Sequence, residues 1–464
     1  MTGRTQHRLL TAALAATALA LAGPAAARSA ERVTVIQGAP APGPDRYDKV
    51  FVTKFGPASA RRVLVLAPGT SGGAGDFTLT ARELVKRVPG LAVWAVDRRT
   101  QAFEDTSVFR EALAGRRTPQ QAFDYYLGWI GNSAQSERFR PLDEATVGFT
   151  REWGLRVALE DLRRVVRAAS AGGRRSVVLG GHSLGASLAV AYASWDFAGR
   201  PGHRDLDGLV LIDGGLLGSF STPTAARSRE RIRKLADESP FLDLVGLGLP
   251  WAAGVFAEVG ALAALKEPDA PSIAQAFPLL PAQFKPPVPA TNAGLLGYAF
   301  DESTSPASLA LIHVRAGQLA TQGQPRGWVD GEVTPLRRLA QTFAQEPANA
   351  IEWYFPKRLG IDVDAAQGLT RTATTDALGL RVHGLRDPEL ADRRAGAEGR
   401  AGAHPHVAGP GARQRPDRRE QDRQPPRPAD RRAGHQPVPA DGRAVPARAA
   451  LTGRRLGRAR SRPL

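Results

Sequence analysis

Ser176-Val-Val-Leu-Gly-Gly-His-Ser-Leu-Gly-Ala186 is the stretch whose reading decides the fold. Val177, Val178 and Leu179 read as a buried strand, and Ala186-Ser-Leu-Ala-Val-Ala191 reads as the helix that follows it. Between them stands Gly181-His182-Ser183-Leu184-Gly185, a G-x-S-x-G turn in a strand–turn–helix setting. The flanking glycines remove the side chains that would crowd a sharp turn, which leaves the Ser183 hydroxyl exposed. Inward-pointing N–H groups at the start of the helix favour negative charge developing beside it. A serine so placed predicts nucleophilic chemistry, and that chemistry needs a base to take the proton and an acid to orient the base.

Working outward, the same alternation of strand and helix recurs. Arg32–Ile36, Lys49–Lys54, Arg62–Ala67, Leu91–Val96 and Leu209–Ile212 read as strands, with helices over Phe77–Val88 and Thr150–Ala169. The latter carries Trp153, Val157, Leu162, Val165 and Val166 on one helical face. Strands alternating with helices predict an α/β architecture with a mostly parallel sheet covered on both faces. Residues 216–305 break the rhythm with apolar stretches such as Phe241–Trp251 and Leu295–Phe300, and read as a mainly helical, lid-like insertion. Beyond it, Leu309–Val314 and Ile351–Phe355 read as strands and Leu336–Phe343 as a helix. There is no Walker loop, dinucleotide fingerprint or clustered metal-ligand motif, so no cofactor and no metal are expected.

The elbow, its strand and its helix resemble the α/β-hydrolase fold superfamily, especially exported bacterial lipase- and esterase-like members. The resemblance covers roughly residues 45–380 and is strongest from Arg62 to Asp213. It implies an α/β-hydrolase fold with a helical lid-like insertion, and cleavage of a carboxylic ester through an acyl-serine on Ser183. An amidase or peptidase of the same fold is the nearest alternative, and a catalytically impaired binding protein is the next. One oxyanion donor is implied at the Leu184 N–H. The second is implied in the loop Pro68-Gly69-Thr70-Ser71-Gly72, at Thr70 or Ser71, although Pro68-Gly69 stands where the superfamily usually has His-Gly. Asp213, directly after the strand that follows the nucleophile helix, is the candidate acid, with a helix cap or loop closure as its bland reading. Asp97 reads as ordering the loop near the pocket. The base is the difficulty. His182 lies inside the elbow, His203 in a polar loop, and His313 in an apolar run too early in the fold, which leaves His313 a weak candidate.

The termini read differently from the middle. Arg4, His7 and Arg8 precede the apolar run Leu9–Ala22 and the small residues Ala25-Ala26-Ala27, so residues 1–30 read as a signal peptide and the protein as exported. That run is too short to span a bilayer comfortably. With no cysteine, the chain can have no disulfide and no lipid-modified cysteine anchor. The net charge of +17 suggests nucleic-acid binding until its distribution is read, because residues 381–464 hold 20 arginines, no lysine and nine acidic residues. No Phe, Tyr or Trp follows Phe355, so this basic segment lacks the stacking residues that single-strand binders use. Residues 31–383 therefore read as the hydrolase domain. Residues 384–464 read as a basic Arg/Pro/Gly/Ala-rich tail, either disordered or the out-of-frame translation of a GC-rich coding sequence. Reverse translation of Gln424–Pro439 with one nucleotide dropped can yield Ser-His-Leu followed by a helix-like string, which places a histidine where the superfamily expects its base. The expected partner is a small or lipidic ester substrate, with neither nucleic acid nor stable membrane insertion.

Overall fold

The computed structural model describes residues 31–132, 134–215, 225–305, 314–346 and 350–366. In chain order the elements that build its sheet are strands β1 (Arg32–Gln37), β2 (Lys49–Phe55) and β3 (Arg62–Ala67), helix α1 (Thr78–Arg87) and strand β4 (Leu91–Asp97). After two short helices, α2 (Ser107–Leu113) and α3 (Pro119–Tyr126), come helix α4 (Leu155–Ser170), strand β5 (Ser176–His182), helix α5 (Leu184–Ser194) and strand β6 (Gly208–Ile212). The sheet order is β1-β2-β4-β3-β5-β6. β1 and β2 are antiparallel additions at one edge, whereas β4, β3, β5 and β6 run parallel. This order, with the Ser183 turn between β5 and α5, is that of an α/β-hydrolase fold.

Period-2 alternation within the strands explains the layering. Val63, Val65, Ala67, Trp94, Val96, Val177 and Leu179 face one side, where they pack with Leu159 and Val166 of α4 and Leu188 and Tyr192 of α5. Leu66, Val93 and Ala95 face the other, against Phe77 and Ala81. α5 is built of small and apolar residues all round, and Gly185 through Ser194 are buried, as a helix without a polar face requires. Arg99 locks β1, β2 and α4 together from inside. Its guanidinium donates to Asp48 at 2.8 Å and to Asp161 at 2.6 and 2.8 Å, and it is 3% exposed.

Most apolar residues beyond β6 build a second core, whereas Phe355, Leu359 and Ala365 pack into the core of the sheet. Helices α6 (Ala225–Leu235), α7 (Ala252–Lys266) and α8 (Asn292–Phe300) fall within the stretch read as an insertion. A β7–β8 hairpin (Gly317–Gly323, Arg326–Asp330) and helices α9 (Leu336–Phe343) and α10 (Lys357–Ala365) follow. The core of this layer joins α7, α8 and α9 with α2 and α3, so the stretch between β4 and α4 belongs to the cap as much as the insertion does. Its centre is aromatic. Trp353 meets Tyr126 edge-on at 5.8 Å and Phe139 at 5.5 Å, and Phe139 meets Trp251 at 5.2 Å.

Two strand readings need comment. Ile351–Phe355 is not a strand. It makes one bridge from Ile351 to Gly72, while the Glu352 N–H goes to Ser71 O and the Trp353 N–H to the Glu104 carboxylate, so no ladder forms. All five residues are buried on every side, which a sequence reading cannot separate from a core strand. Leu309–Val314 falls outside the described residues except for Val314, which bridges Asp301.

Candidate active site

The elbow forms where β5 ends. Ser183 has φ 51° and ψ −120°, backbone that a non-glycine residue holds only when its surroundings impose it. Those surroundings are backbone. The Ser183 N–H donates to Ile212 O at 3.0 Å, and the Ala186 N–H returns to Ser183 O at 3.0 Å. The two motif glycines are needed for contact as well as for the turn. A Cβ on Gly185 would fall on Ala67 O at the end of β3, and one on Gly181 would fall on the carbonyl of Gly185.

Around Ser183 opens a cleft of about 690 Å³ whose wall includes Thr70, Leu184 and Asp213. Asp213 follows directly on Ile212, the β6 residue paired with His182 of β5, so it sits beside Ser183 at the same end of the sheet. It too has a left-handed backbone, φ 43°. Gly214 presses on the Ser183 backbone so closely that a Cβ there would overlap Ser183 O, and the Ser187 hydroxyl pins the next residue by donating to Gly215 O at 2.8 Å. The Leu184 N–H is the first of α5 and has no intrahelical acceptor.

The loop after β3 lies against the elbow, since a Cβ on Gly69 would meet both Ser183 Cβ and His182 Nδ1 at 3.3 Å. Of its two candidate donors, Thr70 lines the cleft, whereas Ser71 is 5% exposed and gives its carbonyl to the Glu352 N–H at 2.8 Å. His182 is half-buried, with its ring against Gly69, and is not on the cleft wall. His203 is buried with Nδ1 3.3 Å from Ala193 O. His313 lies outside the described residues. Among the described residues, then, no histidine lines the cleft beside Ser183 and Asp213.

Beneath the loop lies a group of buried ionisable side chains that sequence reasoning found only in part. Asp97, at the end of β4, accepts from the Ala74 N–H at 2.6 Å and so orders the loop. Burial pushes its carboxyl up to about 7 against that hydrogen bond, with the charge of Glu352 adding to the rise. Its neighbour Asp76 is pushed up to about 8 by burial and by Asp97. Glu352 is also raised by burial, with Arg98 opposing. Arg98 lies at the centre. The only sequence signal for it was its place directly after the strand-ending Asp97.

The far side of the cleft is apolar in its depth and charged at its rim. Leu235, Leu242, Phe355 and Ile361 line it. Its charged side chains are paired, Arg231 with Asp364 at 2.7 Å, Lys357 with Glu238 at 3.3 Å and Lys234 with Glu230 at 2.8 Å. Among the described residues no cluster of His, Cys, Asp and Glu could hold a metal ion, and no helix is long and apolar enough to cross a membrane.

No protein-family model matches the chain, and no curated protein matches it. Solved structures similar to it include esterase 2 of Thermogutta terrifontis phosphonylated by sarin, at 16% identity and TM-score 0.26, over 45% of this chain and 63% of that one. The thioesterase domain from the curacin biosynthetic pathway is similar at 16% identity and TM-score 0.27, over 49% and 62%. Dienelactone hydrolase of Anabaena variabilis is similar at 13% identity and TM-score 0.21, over 40% and 64%. The chain spans less than two thirds of the length of each.

Proposed function

We propose that the protein is an exported serine hydrolase that cleaves carboxylic esters through an acyl-serine intermediate. The observation that carries this reading is Ser183 itself, held at a left-handed φ of 51° at the β5–α5 turn and open to a cleft it shares with Thr70, Leu184 and Asp213. Ser183 Oγ attacks the ester carbonyl, and the Leu184 and Thr70 N–H groups receive the oxyanion. Asp213 orients the base that takes the serine proton, and water then releases the acid. The base is a histidine that another reading frame supplies near residues 424–426. The apolar depth of the cleft and the mutual pairing of its rim charges favour an uncharged, hydrophobic acyl chain over an anionic one.

The test is labelling of the full-length chain, as written and with its frame shifted to supply the base, with a fluorophosphonate, followed by turnover of p-nitrophenyl esters of increasing chain length. Stoichiometric labelling lost in Ser183→Ala, with turnover rising with chain length, supports the reading. Labelling with turnover of anilides but not of esters converts it to an amidase. A second reading, a hydrolase-fold binding protein, is favoured by the absence of a histidine from the described cleft wall. It predicts neither labelling nor turnover.

A further inference from the structure

We propose that Arg98 is a positioning residue for catalysis, a clamp that turns the Thr70 N–H toward the nucleophile by holding the carbonyls of the β3 loop from behind. The inference rests on the hydrolase reading of Ser183. Arg98 Nη2 donates to Pro68 O at 2.8 Å and to Gly69 O at 2.9 Å, and Nη1 donates to Gly72 O at 3.1 Å. One side chain thus holds three carbonyls of a single five-residue loop. The fourth partner is Glu352, whose carboxylate accepts from Nη1 at 2.6 Å and, through its other oxygen, from the Thr100 hydroxyl. Both side chains are nearly out of solvent, 10% and 5% exposed, so little water competes for these bonds.

The consequence follows from peptide geometry. In a planar trans peptide the C=O and the N–H point in opposite directions. Fixing Gly69 C=O on the guanidinium therefore aims the Thr70 N–H away from Arg98, and Thr70 is the loop residue that lines the Ser183 cleft. Among the described residues that N–H has no backbone acceptor, as a donor reserved for a developing oxyanion requires. A lysine could neutralise Glu352 but could not span three carbonyls, because its ammonium is a point charge and not a planar fork. Glu352 fixes the clamp in turn. Its own N–H holds Ser71 O at 2.8 Å, and the Gly73 N–H donates to Ala350 O at 3.0 Å, so the 350–352 segment grips the loop on its other side.

The test compares the unaltered full-length chain with Arg98→Met/Glu352→Gln, which removes the guanidinium without stranding a buried carboxylate, and with Arg98→Lys. kcat and KM are measured on p-nitrophenyl butyrate, and amide hydrogen exchange is followed by mass spectrometry. Losing one oxyanion donor lowers kcat by about 10²–10³-fold, and this is the fall expected in the double variant, with KM little changed. Exchange is expected to quicken at residues 69–74 while β3 and α5 keep their rates. Arg98→Lys is expected to lose at least about tenfold in kcat, and it carries the test if the double variant does not fold. Unchanged kcat in either folded variant, or a raised KM with kcat intact, overturns the proposal. If neither the unaltered chain nor the chain in the shifted frame turns over esters or labels, the hydrolase reading fails by itself. Exchange then decides the clamp, which is refuted by unchanged rates at 69–74 and upheld by a rise confined there.

Discussion

Asp97→Asn isolates the buried carboxyl group beneath the loop after β3, and its effect is expected to depend on pH with a definite sign. Asp97 is 3% exposed, and burial raises its carboxyl from the ordinary 3.8 to about 7. Between roughly pH 4 and pH 7 the native chain keeps a proton that the unfolded chain has released, so the native state binds more protons and stability falls as pH rises. At about 1.36 kcal/mol per unit, a rise of some three units corresponds to about 4 kcal/mol lost across that window and constant above it. Asparagine keeps the oxygen that accepts the Ala74 N–H and never ionises. At pH 4.5 the variant and the unaltered chain should have similar stability. At pH 8 the variant should be the more stable by about 3 kcal/mol. Urea titrations followed by tryptophan fluorescence at pH 4.5, 6, 7 and 8 read this directly. Because Asp76 is raised partly by Asp97, Asp76→Asn should give the same pH signature, and the double substitution should gain less than the sum. A stability difference that stays constant from pH 4.5 to pH 8 would refute the assignment of a protonated native carboxyl.

Four further outcomes are expected. Ser183→Gly should abolish fluorophosphonate labelling yet stabilise the fold by about 1 kcal/mol in a urea titration, because glycine takes up the φ of 51° without strain. Gly185→Ala should prevent folding or lower the melting temperature by well over 10 °C, since its methyl group would fall on the Ala67 carbonyl and neither backbone can give way; circular dichroism reads it. Asp213→Asn, made in the chain whose shifted frame supplies the base, should leave the melting temperature unchanged and lower kcat by about 10⁴-fold. Arg99→Met should cost about 3–5 kcal/mol, because it leaves Asp48 and Asp161 buried without their partner.

The legible parts of the chain were those where one segment carries its own signal. β3 and α9 stand at the residues their periodicity marks, Arg62–Ala67 and Leu336–Phe343, and the elbow's two glycines announce a turn that backbone packing then enforces. The rest depends on partners far along the chain. α2 and α3 carry no signal of their own in the sequence, because the apolar faces that hold Phe109 and Tyr126 have no meaning until Trp353 covers them. Ile351–Phe355 read as a strand because burial on all sides and pairing in a sheet leave the same hydrophobic run. Arg98 was invisible as a clamp for a similar reason. Its three carbonyls sit about thirty residues upstream and its carboxylate partner 254 residues downstream, so no local pattern links them.

The general base is where sequence and structure press hardest on each other. Thr70, Leu184 and Asp213 meet around Ser183, but the two histidines among the described residues, His182 and His203, stand off the cleft wall. A serine hydroxyl without a base is a poor nucleophile at neutral pH, and losing a triad member leaves about 10³–10⁴-fold over water from binding and the oxyanion hole. The base proposed for this cleft is a histidine expected from a changed reading frame in residues 381–464, and the 20 arginines and absence of lysine there are what suggest that frame. Among the described residues β6 is the last strand of the sheet, and its apolar residues Val210, Leu211 and Ile212 are 37%, 37% and 39% exposed. A chain expressed with the frame shifted by one nucleotide between codons 380 and 390 should gain a histidine near position 425 and cover for β6. It should label with fluorophosphonate at least about 10³-fold faster than the chain as written, with slower amide exchange at 208–212. Equal labelling rates, or a shifted frame that meets an early stop codon, would leave the binding-protein reading in possession of the cleft.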